Sequence, residues 1–147
     1  MTARVLLETM ATVLLTLLFL VLAAGLIAVS SGSAPLNGFL RDGPATVFGI
    51  LALPLLVWAG VLATANALGR KRTPRARFLI NALLTVVITV LTLGSWAVFA
   101  GTAGGFGQLV FAIAAIQSLS FGVCGIVALA LTHFGFFSGR SGRPAVA

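Results

Sequence analysis

The chain has 147 residues, of which 60% are hydrophobic and only 7% charged, where an ordinary soluble domain carries about 25% charged residues. That is too little charge for a water-facing surface, so a soluble fold is excluded and the chain reads as an integral membrane protein. Net charge is +7, but the basic residues border apolar spans instead of lining a soluble face, which argues against a nucleic-acid partner and for anionic lipid headgroups, at roughly 1 kcal/mol for each Lys or Arg near the surface.

The first apolar run extends from Val5 to about Val29. It is longer than the apolar core of a signal peptide and is read as a retained span, helix 1 at 5–29. Residues 30–43 are rich in Ser, Gly and Pro and read as a loop. Asp42 and Pro44 there suit the start of helix 2, expected over 45–68. Pro54 inside that helix withholds a backbone N–H and predicts a kink whose freed carbonyl turns toward protein.

The stretch Gly69-Arg-Lys-Arg-Thr-Pro-Arg-Ala-Arg77 is the strongly polar break in the chain and holds five of its nine Lys and Arg residues. Helix 3 is expected over 78–100. Gly101 to Gly107 reads as a flexible connection, and helix 4 over 108–137 is long enough to tilt or to reach past the interface. A flexible tail, 138–147, carries Arg140 and Arg143.

The fold class is therefore all-α, with four transmembrane helices in a single bundle spanning 1–147. Arg4, the five cations of the central loop, Arg140 and Arg143 lie on one side, and only Arg41 on the other. The positive-inside rule then makes both termini and the central loop cytoplasmic. The expected location is a prokaryotic plasma membrane, multi-pass. Arg70, Lys71, Arg72, Arg75 and Arg77 are the residues assigned to anionic lipid.

A shift of 73 residues sets Ala3–Leu20 on Ala76–Leu93 with 8 identities in 18, including Thr12 on Thr85 and Thr16 on Thr89. Two readings stay open: a duplicated two-helix hairpin related by an axis along the membrane normal, or a plain bundle drawn from a small alphabet. Both give the same fold class.

Few residues are equipped for chemistry. Glu8, Thr12 and Thr16 repeat at four-residue spacing and share one face of helix 1. Asn81, Thr85 and Thr89, with Thr92 beyond them, do the same on helix 3. These stripes read either as a polar seam with Glu8 as a proton or cation site, or as helix packing with Thr hydroxyls bonded back to their own helices; packing is preferred. Ala114, Ser118 and Gly122 on helix 4, and Ala59, Ala63 and Ala67 on helix 2, form small-residue ridges for close helix approach. Gln117 is too polar for lipid and is expected against a partner helix, a neighbouring subunit or a headgroup. His133 is read as a headgroup contact, and Trp58 and Trp96 as packing or interface residues.

Cys124 is the single cysteine and His133 the single histidine, so no disulfide, Cys-x-x-Cys pair or bis-histidine haem can form within the chain. With Glu8 and Asp42 as the only acids, on opposite sides of the membrane, a paired-carboxylate mechanism is excluded too. No metal and no cofactor are expected, and the chain is read as not an enzyme. Two families of small four-span proteins offer a comparison, and the chain lacks both signatures. The pattern surrounding the embedded acid of small multidrug resistance transporters is missing around Glu8. Asn66-Ala-Leu-Gly-Arg70 lacks the aromatic residue of the corresponding GtrA-like motif.

The expected role is a non-catalytic accessory subunit of a larger membrane complex, contributing helix packing and lipid contacts, with membrane lipids and other membrane subunits as partners. The alternative is a small homo-oligomeric transporter or lipid-carrier flippase using the polar stripes. On the first reading Glu8→Gln is tolerated with little loss of stability.

Overall fold

The computed structural model describes residues 3–30, 32 and 36–136, and all the regular structure among them is helical. Helix α1 is Ala3–Ser30 and α2 is Leu36–Leu68. A 3₁₀ turn, Gly69–Lys71, leads to α3, Pro74–Thr102. Helix α4 is Gly104–Ala130 and continues into a π turn, Leu131–Phe136. All four helices contain a stretch long and apolar enough to cross a membrane. At 1.5 Å per residue, 20 residues already match a hydrocarbon core of about 30 Å.

The element boundaries differ from the sequence reading in three places. First, α2 begins at Leu36, so Asp42-Gly43-Pro44 lie inside a helix and do not start one. Pro44 costs that helix a single bond, to the carbonyl of Leu40. Second, α3 begins at Pro74, four residues early: Thr73 is the N-cap, its hydroxyl accepts from the Ala76 N–H at 3.3 Å, and Pro74 takes the first helical position. Third, the glycine-rich connection shrinks to Ala103, with Gly104 supplying the turn at φ +66°. A Cβ on Gly107 would stand 2.5 Å from the Ala100 carbonyl oxygen, so the hairpin closes this tightly only with glycine there. The tail 138–147, with Arg140 and Arg143, lies outside the described residues.

The helices run antiparallel in chain order, and α1 closes the ring against α4. Polarity is distributed inside out. Leucines and valines such as Leu14, Leu26, Leu53, Leu56, Val90 and Val98 are exposed on the outside, as lipid requires. The interior holds as many buried polar residues as buried hydrophobic ones among those described. An apolar core of Leu20, Leu51, Leu55, Trp58, Leu62, Ile88 and Phe121 fills the middle, with the Trp58 and Phe121 rings edge to face at 5.3 Å. The buried ionisable and amide side chains, Glu8, Asn66, Asn81 and His133, gather where the basic turn lies, while buried hydroxyls continue through the middle.

Helices α3 and α4 pack closely through the small residues of α4. Ala114, Ser118 and Gly122 are buried. A Cβ at Gly122 would come within 2.9 Å of Thr89 Oγ1, and one at Gly125 within 3.1 Å of Thr85 Cγ2. Thus the threonine stripe of α3 lies in the glycine groove of α4, methyl against backbone. On α2 the buried stripe is Leu51, Leu55, Trp58, Leu62 and Asn66, and the alanine ridge Ala59, Ala63, Ala67 is only half-buried on its shoulder.

A buried polar cluster at the basic-turn end

The early start of α3 determines the site. Arg77 stands in the first turn of that helix and four residues before Asn81, so it extends the Asn81-Thr85-Thr89 face by one step toward the helix start. Its guanidinium points inward and grips Glu8: Nη2 donates to Oε1 at 3.0 Å and Nη1 to Oε2 at 3.3 Å. Glu8 is 1% exposed and the Arg77 side chain 15%. Such a fork on a carboxylate is the strong form of an ion pair, and it occupies one lone pair on each oxygen. One assignment from sequence therefore needs correction: Arg77 binds within the bundle and not to lipid. Glu8, read from sequence either as a cation site or as a packing residue, is the buried partner of that guanidinium. Arg75, Lys71 and Arg72 are exposed; the side chain of Arg70 is outside the described set.

A second link runs across three helices. Asn81 Nδ2 donates to Asn66 Oδ1 at 2.8 Å, and Asn66 Nδ2 donates to Thr9 Oγ1 at 3.2 Å. The Thr9 hydroxyl in turn donates to the Val5 carbonyl. A third joins α1 to the π turn that continues α4, where the hydroxyls of Thr12 and Thr132 are 3.0 Å apart. One of them donates to the other, and the accepting hydroxyl keeps its bond to its own helix carbonyl. Deeper in the bundle Trp58 Nε1 donates to Thr85 Oγ1 at 2.8 Å. Every helix is thus tied to another by at least one buried side-chain bond. In a medium without water an unmade bond costs more than a made one returns, so these cross-helix bonds specify one helix register.

The remaining stripe hydroxyls stay within their helices. Thr16, Thr89, Thr92 and Ser118 donate to the carbonyls four residues back, at 2.7 to 2.9 Å. All six residues of the two expected stripes, Glu8, Thr12, Thr16, Asn81, Thr85 and Thr89, face the interior.

Of the two places the sequence left open for Trp58, packing or the interface, it takes the first and is fully buried. His133, assigned from sequence to the headgroups, is inside: it is 3% exposed, because the wide π turn brings both Thr132 and His133 to the inner face. His133 Nδ1 lies 3.1 Å from the Leu129 carbonyl oxygen, which can only accept, so that nitrogen carries a proton. Neither the ring's Nε2 nor Arg77 Nε has a hydrogen-bond partner. Gln117, in the other half of α4, is half-buried with its Oε1 unpartnered. Among the described residues no three His, Cys, Asp or Glu side chains come together.

Asn66 and Arg77 belong to the cluster, yet neither stood out in the sequence as an interior group. A legible signal existed for Arg77: Thr-Pro before it marks a helix start, and its spacing to Asn81 is four. Comparison with protein-family models, with curated proteins and with solved structures finds no match.

Proposed function

With no relative to lend a role, we propose from the geometry alone that the chain is a non-catalytic structural subunit of a larger membrane assembly. In this reading it sits in a prokaryotic plasma membrane with both termini and the basic turn on the cytoplasmic side. The observation that carries it is the closed state of the polar seam: Glu8 is held on both oxygens and 1% exposed, and the stripe hydroxyls are returned to their own helices. Polarity is used here to join helices. A carrier would hold at least one such group open to its cargo. Glu8 and Asn81 take equivalent places on α1 and α3 and both face the interior, which favours descent from a duplicated hairpin.

A second reading, a proton-linked transporter, draws on one observation, the unpartnered His133 Nε2 and Arg77 Nε close to Glu8. Purification in mild detergent, with mass determination of the intact particle, separates the two. A subunit is expected to run with larger, stoichiometric membrane proteins. A particle made of this chain alone that moves protons across liposomes, and stops doing so as Glu8→Gln, overturns the proposal.

A further inference from the structure

On the outer face of α2 lies a shallow apolar groove of about 480 Å³, lined by Leu56, Gly60, Thr64 and Leu68 and closed on one side by Leu84 of α3. Gly60 leaves its floor open: a Cβ there would meet nothing within 4 Å. The one hydroxyl in the groove, on Thr64, already donates to the Gly60 carbonyl at 2.9 Å, so the lining offers no free donor. At its Leu68 end the chain passes directly into the Gly69–Lys71 turn, and Lys71 and Arg72 are exposed there.

The dimensions select the occupant. Leu56 and Leu68 are twelve residues apart, about 18 Å along the helix, which is close to one leaflet of a hydrocarbon core about 30 Å thick. A transmembrane helix of a partner would need a groove crossing both leaflets. A single extended hydrocarbon chain fits the length of one. The cations stand where a headgroup of the same leaflet would lie.

We propose that this groove is a binding site for one anionic glycerophospholipid, with an acyl chain along α2 from Leu68 to Leu56 and its phosphate at Lys71 and Arg72. The site rests on the lipid contacts expected from the sequence and on the membrane setting proposed above, and is independent of any larger assembly. A chain that purifies alone yet still binds the lipid would sink the subunit and leave the site.

The test uses the full chain in phosphatidylcholine vesicles, with spin-labelled phosphatidylglycerol or spin-labelled phosphatidylcholine as probe and the motionally restricted fraction as readout. The wild type is expected to restrict the anionic probe several-fold more than the zwitterionic one, and less so in high salt. Removing Lys71 and Arg72 as glutamines is expected to bring that preference down to about one. Gly60→Phe fills the groove without disturbing the backbone and abolishes the preference while helicity is retained. Thr64→Leu blocks the same groove from the next turn and serves if Gly60→Phe loses helicity. Equal restriction of the two probes by the wild type overturns the site. So does a preference that survives in a folded groove-filled variant, since the headgroup would then bind without a seated tail.

Discussion

Replacing Glu8 by Gln tests the cluster directly. The substitution keeps the volume and removes the charge, leaving Arg77 with a neutral partner. The amide oxygen can still accept one guanidinium N–H, but the amide NH₂ then faces the other, donor against donor. Breaking a buried pair on one side costs about 3–5 kcal/mol where the orphaned charge has no way out. Arg77 keeps 15% of its side chain exposed, so it can carry part of its charge toward water, and the expected loss is about 2–3 kcal/mol. That reverses the tolerance expected from sequence, which assumed an unpaired Glu8. Removing both charges, as Glu8→Gln with Arg77→Gln, is expected to cost less than Glu8→Gln alone, because no ion is left in the interior. The assay is reversible unfolding in mixed micelles titrated with denaturing detergent, run as a double-mutant cycle. Arg77→Gln orphans Glu8, which is 1% exposed, so the coupling is expected to be at least about 3 kcal/mol. Single substitutions that add within about 0.5 kcal/mol would refute the claim that these two side chains act as one unit.

The other expectations concern packing and sidedness. Gly122→Ala places a methyl 2.9 Å from Thr89 Oγ1, on a buried side chain bonded to its own helix, and should lower stability by about 1–3 kcal/mol; adding Thr89→Ala should restore part of the loss in the same micelle titration. Gly107→Ala meets the Ala100 carbonyl oxygen, which is backbone and cannot rotate away, so it should be the more damaging of the two glycine substitutions. Trp58→Phe keeps the contact with Phe121 but loses the N–H donated to Thr85 at 2.8 Å, and should cost about 1 kcal/mol, read from the unfolding midpoint. For orientation, an Arg72→Cys chain treated with a membrane-impermeant maleimide should label in inverted vesicles and stay unlabelled in intact cells. Cys124 is buried and should add no background. Labelling from outside the cell would invert the proposed topology.

Much of the architecture was legible because it depends on length and polarity along the chain. Four apolar runs separated by polar breaks require four helices, since lipid offers backbone groups no other partner. The boundaries near Arg77 were less legible. Five cations in nine residues suggest a water-exposed loop, and that impression hid the Thr73-Pro74 helix start. Once α3 begins at Pro74, Arg77 falls on the polar face by spacing alone. At the other end of the same helix, four glycines around Ala103 suggested a floppy link, whereas two of them, Gly104 and Gly107, serve a sharp turn and a close contact.

The sequence by itself determined which residues share a face, because a helix converts spacing into direction: Glu8 with Thr12 and Thr16, Asn81 with Thr85 and Thr89. It could not determine what lies opposite that face. Glu8 and Arg77 are 69 positions apart, Asn66 and Thr9 are 57, and Thr12 and Thr132 are 120. Only the packing of α1 against α2 and α4, and of α3 against α2, brings these groups within hydrogen-bond reach. Tertiary structure alone decided that the buried Glu8 is already answered by a cation, and that the histidine of the π turn looks inward.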